Sequence, residues 1–176
     1  MFKKIMLIAG FVILSFSSFA QDTSFGVTAG YLSSISTLND TEIDYTDSSS
    51  GFYVGALLDI TLNESFSLVP AVQYARVSEV NLLYVPLTLQ YDIGDSGIYV
   101  QGGPQATVLL QESSRIYDKF GLDLGVGLGY DINDNFFVEA KYYHEVTNRH
   151  GEDPFDLYDD LDQGLNSLMI GVGYKF

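Results

Sequence analysis

The sequence contains no cysteine and no tryptophan, and only 2 histidines and 4 prolines among its 176 residues. Without cysteine, the chain cannot be a disulfide-stapled scaffold or a lipoprotein anchored through an acylated cysteine. Basic residues are also scarce, because 8 Lys and Arg stand against 23 Asp and Glu, giving a formal charge of −15. An acidic surface repels phosphate groups, which argues against a nucleic-acid partner.

The first 20 residues have the pattern of a secretory signal peptide. Lys3 and Lys4 form a basic start, Ile5 to Phe16 an apolar run, and Ser18-Phe19-Ala20 a site with small residues. We predict cleavage after Ala20, which gives a signal peptide at 1–20 and one domain at 21–176. A retained membrane helix is the alternative, but the run is shorter than the ~20 residues a span needs. Cleavage removes two lysines and no acid, leaving a formal charge of −17.

The rest of the chain has no second apolar run long enough for a membrane helix, so any membrane crossing must use strands. It is rich in residues typical of β proteins, with 17 Gly, 13 Tyr and 12 Phe in the sequence. Apolar side chains recur at every second position, the period of a strand with one apolar face. We predict eight strands, at 24–32, 51–62, 66–77, 82–91, 98–110, 120–132, 136–146 and 166–176.

The links between these strands alternate in length. Those after the second, fourth and sixth strands are tight turns, whereas 33–50, 111–119 and the segment from Thr147 to Leu165 are long and polar. Outer-membrane barrels have short periplasmic turns, longer external loops and an even number of strands. The third link, near Ser78 to Asn81, is shorter than this pattern expects. Pro70 should mark a bulge or local defect, because proline cannot donate a ladder hydrogen bond.

The composition of the polar face indicates which side of the sheet faces outwards. This face is mostly Gly, Ser, Thr, Ala and Gln, which suits the narrow interior of an eight-stranded barrel, and aromatic residues recur near strand ends as in interfacial girdles. We therefore predict that the apolar face contacts lipid; a soluble lipocalin-like barrel is the alternative. The inward charged residues should form a hydrogen-bonded ion-pair network, although a polar plug or narrow solute path is also open. They are Asp59, Asp123, Glu139, Lys141 and Lys175.

Several strand motifs resemble those of the PorT-like outer-membrane β-barrel family, across essentially the whole mature chain. They are the runs Leu83 to Leu87 with Gln90-Tyr91, Gly97 to Pro104, Phe137 to Tyr142, and Gly171 to the terminal Phe176. The resemblance implies an eight-stranded, OmpA/OmpX-type architecture and an outer-membrane location. Its members mostly lack an assigned activity, although the namesake takes part in protein secretion. The last strand also looks like the signal that the barrel-assembly machinery reads.

Residues that could carry chemistry are few. His144 and Glu145 are strand neighbours and point to opposite faces, so they cannot share one site. No Ser/His/acid arrangement can be found around His144 or His150, and we predict no catalytic, cofactor-binding or metal-binding residues. The last long loop contains six acidic residues whose spacing does not match an EF-hand, so a solvated loop is favoured over a Ca²⁺ site. They are Glu152, Asp153, Asp156, Asp159, Asp160 and Asp162.

The sequence thus predicts an all-β, eight-stranded, antiparallel, up-and-down transmembrane β-barrel in the outer membrane of a Gram-negative cell, with both termini periplasmic. Its expected role is structural or binding, through acidic extracellular loops. Expected partners are outer-membrane lipid, the barrel-assembly machinery through the C-terminal strand, and an extracellular or secretion-system protein. The alternatives are a lipid-modifying or proteolytic barrel enzyme and a soluble periplasmic ligand-binding barrel.

Overall fold

A computed structural model describes residues 23–40, 43–110, 120–147 and 163–176, and their side chains except in 35–48 and 163–165. The described strands form one closed antiparallel barrel, in which each strand pairs with its sequence neighbours and β8 pairs with β1. A 3₁₀ turn, Gly94–Ser96, lies between β4 and β5. In the described ranges no helix is long and apolar enough to cross a membrane. The strands are β1 Thr23–Asp40, β2 Ile43–Asn63, β3 Phe66–Val77, β4 Val80–Asp92, β5 Ile98–Leu109, β6 Phe120–Asp131, β7 Phe136–Glu145 and β8 Gln163–Lys175.

The wall of the barrel has the predicted apolar outer face. Val126 is 65% exposed, Leu124 57% and Ile170 52%, whereas the inward Tyr53 and Gln105 are fully buried. Apolar surface in water costs about 25 cal/mol per Å², and a continuous apolar wall of this kind is stable only against lipid. The outer face is therefore the lipid face, and the soluble lipocalin-like alternative is wrong.

The interior is filled by large side chains that lie over glycines of other strands. A Cβ placed on any of these glycines would overlap the facing ring. The ring therefore fits only because glycine has no side chain at that position. This accounts for Gly125 and Gly129 of β6, whereas a Cβ on Gly127 would meet the Lys141 and Gln101 side chains instead. The pairs are Tyr99 over Gly129, Tyr143 over Gly125, Phe137 over Gly173 and Tyr53 over Gly171.

The segment 33–50, predicted as a long exposed loop, is largely strand. β1 and β2 continue to pair from Ser33 opposite Ser50 as far as Asp40 opposite Ile43. Backbone ladder bonds do not require apolar side chains, and a search for apolar alternation misses a hairpin of serine, threonine and aspartate. The link after the first strand is therefore short, whereas the links at 111–119 and 148–162 lie outside the described residues.

Pro70 produces a local defect, as predicted, but no bulge. The ladder between β2 and β3 is interrupted at Val69 and Pro70, with the same register on both sides, because proline has no N–H to donate. The register shift in this pair lies instead between Thr61 and Asn63. The β3–β4 link is as short as predicted, since Val77 pairs with Val80 and Ser78 adopts a φ of 53°.

Candidate functional site

Two buried charges on β7 pair with each other inside the barrel. Lys141 Nζ lies 2.6 Å from Glu139 Oε1, and both side chains are at most 7% exposed. Gln101 Nε2, on β5, donates a hydrogen bond of 3.1 Å to Glu139 Oε2. Lys141 Nζ also lies 5.9 Å from the centroid of the Tyr53 ring. The charges are thus paired and hydrogen-bonded, the condition for placing ions in a low-dielectric interior.

Asp123 shares the inward face with Glu139 and Lys141, as the sequence predicts, but it has different partners. Gln105 Nε2 donates a 2.9 Å hydrogen bond to Asp123 Oδ2, and Thr107 Oγ1 donates to the same oxygen. The register places Asp123 opposite Glu145, four residues along the ladder from the pairing of Gly127 with Lys141. Asp123 therefore binds β5 side chains rather than the β7 ion pair.

Glu145 is also buried inside the barrel, 6% exposed, although it is not among the five inward charged residues predicted from the sequence. Its alternation with Tyr143 and Lys141 is the signal that could have identified it.

A second ion cluster closes the end of the interior at which the β2–β3, β4–β5 and β6–β7 turns lie. Lys175 Nζ, on β8, lies 2.8 Å from Asp59 Oδ2 of β2 and 3.5 Å from Asp131 Oδ1 of β6. The same ammonium lies 5.5 Å from the centroid of the Phe137 ring. Lys175 therefore links three strands across the mouth of the barrel. Together with the filled centre, this geometry matches the ion-pair network rather than an open solute path.

The candidate catalytic residues are not brought together. His144 lies on the exposed outer wall, where its Nδ1 is 2.7 Å from Asn166 Oδ1, while Glu145 points inwards. His150 and the six acidic residues of the last loop lie outside the described residues. Within the described part of the chain, no group of three or more His, Cys, Asp or Glu side chains could hold a metal ion.

A closed barrel with an apolar outer wall, a filled polar interior and short turns at one end defines the class of integral outer-membrane β-barrels. The chain belongs to the outer membrane protein beta-barrel domain family, whose model matches residues 6–176. It is a protein of the cell outer membrane, in contact with the lipid of that bilayer. The match shows that the chain belongs to this barrel family, but it does not show the narrower PorT-like assignment.

Three similar proteins are informative. Outer membrane protein W of Vibrio cholerae is 27% identical over 177 residues, covering 89% of this chain and 75% of that protein. The attachment invasion locus protein Ail of Yersinia pestis is 18% identical with a TM-score of 0.52, over 89% of this chain and 100% of that one. Neisserial surface protein A is 19% identical with a TM-score of 0.53, at the same coverage. At these identities the two structures show the shared fold alone.

Proposed function

We propose that this barrel is a binding protein of the cell surface, acting through strands that project beyond the external rim. β2 pairs with β3 only as far as Gly51, opposite Val77, but it continues to pair with β1 as far as Ile43. At about 3.3 Å per residue, this part of β2 extends roughly 26 Å along the strand. β8 accompanies β1 outwards as far as Gln163. We call residues 163–166, 33–40 and 43–50 of these three strands the projecting sheet.

The outer edge of the projecting sheet is the part that offers a binding surface. In the described part of the chain, residues 43–49 of β2 pair with β1 and with no second strand. Such an edge presents a row of unpaired N–H and C=O groups, and an extended peptide can add to it as a further strand. Main-chain hydrogen bonds would supply much of the affinity. The proposal rests on this edge. Acidic loops would add selectivity for positively charged partners.

The charge of the chain favours a cationic partner. The formal charge is −15, so positively charged segments are attracted and polyanions repelled. Ail has been crystallised with sucrose octasulfate, a heparin analogue. We expect the opposite preference here, for an extended segment carrying Lys or Arg.

The proposal is tested with the purified barrel in lipid nanodiscs and a peptide of alternating Val and Lys. Wild type should bind this peptide, more weakly as salt is raised, because screening weakens exposed charge interactions. A variant in which 36–47 is replaced by Asn-Gly should lose at least about tenfold in affinity, or about 1.4 kcal/mol. A peptide with proline at every second position, which cannot donate ladder bonds, is the matched negative control.

Wild type and the shortened variant should both show heat-modifiable gel migration, because the variant retains the β1–β2 pairing from Thr23 to Ser34. Equal affinity of wild type and the shortened variant would refute a role for the projecting sheet.

We also propose that the barrel has no enzymatic activity. The exposed position of His144, with Glu145 on the opposite face, supports this, since a general base must lie beside its nucleophile. Purified protein should release no fatty acid from phospholipid vesicles and cleave no peptide substrate. An activity that disappears in a His144→Ala, His150→Ala variant would overturn the proposal.

Two further proposals concern targeting and family. Cleavage after Ala20 is tested by the intact mass of the protein isolated from membranes, which should correspond to residues 21–176. The PorT-like assignment, which rests on the strand motifs around Pro86 and Pro104, implies a secretion-system partner. Deleting the gene should then reduce the protein secreted into the medium, and unchanged secretion would contradict that assignment.

A further inference from the structure

Two shallow grooves cross the outer wall where β1, β7 and β8 lie side by side. The first has a volume of about 680 Å³ and is lined almost entirely by apolar side chains. It runs between two rows of outward residues that follow the ladder from strand to strand. One row is Ala29, Val172, Val138, Tyr130 and Ile98, and the other includes Ile170, Ala140 and Leu128.

Small side chains create this groove. Ala29 and Ala140 are exposed on the wall, beside larger residues such as Leu128 and Ile170, which are 55% and 52% exposed. Gly171 lines the floor between them. Where two alanines stand among leucine, isoleucine and valine, the wall is locally thinner by the missing side-chain atoms. In a bilayer this space is filled by an acyl chain or by another protein, because an empty groove loses its van der Waals contacts.

The direction of the groove indicates how its occupant lies. The row that runs from Ala29 to Ile98 crosses from β1 to β5. This distance is four strand spacings of about 4.8 Å, or roughly 19 Å. It begins at Ala29, the seventh residue of β1, and ends at Tyr130 and Ile98, beside the tight turns of the periplasmic end. One leaflet of a bilayer has a hydrocarbon thickness of about 15 Å, so an oblique path of this length stays within the periplasmic leaflet.

The second groove, of about 550 Å³, lies on the other side of the same row. It shares Ala29 and Val172 with the first groove and ends at Phe136 and Tyr174. The rings of Phe136 and Tyr174 meet edge to face with centroids 4.9 Å apart. Phe136 and Tyr130 flank the β6–β7 turn, so both grooves reach the periplasmic rim on either side of that turn.

The charge of this rim selects among headgroups. The β6–β7 turn reads Asn133-Asp134-Asn135, with Asp134 exposed, and the neighbouring β4–β5 turn exposes Asp95. Neither turn contains Lys or Arg. Lys175 is held inside the mouth by Asp59 and Asp131. A carboxylate rim attracts an ammonium group and repels a headgroup with net negative charge.

We propose that the two grooves bind the two acyl chains of one ammonium-bearing phospholipid of the periplasmic leaflet, with its headgroup at the β6–β7 turn. The site is distinct from the projecting sheet, which lies at the opposite end of the barrel. Its ligand is a structural lipid that stays with the wall longer than its neighbours in the bilayer.

The test is native mass spectrometry of protein extracted in mild detergent from vesicles with equal phosphatidylethanolamine and phosphatidylglycerol. Wild type should retain one phosphatidylethanolamine. An Ala29→Leu, Ala140→Leu variant should retain about tenfold less, because filling the groove removes the whole set of chain contacts. Ala106→Leu is the matched control, since Ala106 lies on the outer face of β5 outside both grooves and should keep the lipid.

Equal retention by wild type and the double leucine variant would overturn the proposal, and so would equal retention of phosphatidylglycerol. A protein dimer without lipid would show that a second copy covers the wall instead. Heat-modifiable migration checks that each variant is folded. If the double variant fails to fold, wild type with a photoactivatable phosphatidylethanolamine decides the question. Cross-links should then concentrate in β7, β8 and β1, and a distribution equal to that on β3 and β4 would refute the site.

Discussion

Replacing Gly129 by alanine should destabilise the barrel, because the new Cβ would enter the space of the Tyr99 ring. Gly129 and Tyr99 are directly opposite each other on β6 and β5. Tyr99 is only 2% exposed, and the atoms that a Cβ on Gly129 would meet are its Cζ, Cε2 and hydroxyl oxygen. The ring is enclosed by the wall and cannot swing into solvent.

The expected magnitude follows from two opposing contributions. Inserting a methyl group into a well-packed core costs about 1–3 kcal/mol. Alanine in a strand is favoured over glycine by roughly 0.5–1 kcal/mol, because glycine loses more backbone entropy on folding. The net change in unfolding free energy should therefore be about 1–2 kcal/mol. With a urea m-value of about 2 kcal/mol per M, the midpoint should fall by roughly 0.5–1 M.

A double-mutant cycle assigns this loss to the ring. In a Tyr99→Ala background the space facing Gly129 is empty, so Gly129→Ala should be neutral or slightly stabilising. Unfolding can be followed in phospholipid vesicles by tyrosine fluorescence, since the chain has no tryptophan, and by heat-modifiable migration. The measured quantity is the difference between the two effects of Gly129→Ala, which equals the cost of overlap with the ring and should be about 1–3 kcal/mol.

Gly102→Ala provides a matched control on β5. A Cβ there would lie 3.2 Å from the Gly125 carbonyl oxygen and 3.8 Å from Val126 Cγ1, with no ring in the way. A small displacement would accommodate it, so its midpoint should change by less than that of Gly129→Ala. If Gly129→Ala lowers the midpoint equally with and without the Tyr99 ring, overlap with the ring is not the cause and the reasoning fails.

Two further predictions concern the interior ion pair and the end of β8. Lys141→Met leaves Glu139 buried without its counterion and should lower the free energy of unfolding by about 3–5 kcal/mol. Adding Glu139→Gln should recover most of this loss, and equal urea midpoints for the single and double variants would contradict the prediction. Deleting Phe176 removes a ring that stacks on Phe25 at 5.7 Å and meets Tyr174 at 5.0 Å. The deletion should lower the fraction of heat-modifiable protein in membranes, and an unchanged fraction would count against a role of Phe176 in assembly.

Alternation along the strands was sufficient to predict the faces of the barrel. The side-chain period of two is set by the extended backbone, so the inward position of Lys141 or Met169 follows without knowledge of its neighbours. Both are buried in the interior. The same reasoning separated His144 from Glu145 correctly. A lipid face and a small-walled interior could likewise be predicted, because an eight-stranded barrel has little internal volume.

The partners of the interior residues could not be predicted in the same way. Whether Asp123 meets Lys141 or Gln105 depends on the register and shear of the closed sheet, which alternation does not determine. The projecting sheet could not be predicted from apolar alternation, because 33–40 and 43–50 consist largely of serine, threonine and aspartate. The outer grooves were missed for another reason. They arise from three alanine and glycine residues on different strands, and their proximity is created only by the ladder registers.

The pairing of β8 with β1 has a consequence for the assembly of the barrel. Val27 pairs with Tyr174, so one side of β1 finds its partner only when the last strand of the chain is in place. Until β8 pairs with it, β1 has an open edge that another chain could pair with. Bringing the ends of so long a segment together also makes closure slow, since its entropy cost precedes the pairing that offsets it. Closing the barrel therefore requires that β1 be protected from pairing with other chains until β8 pairs with it.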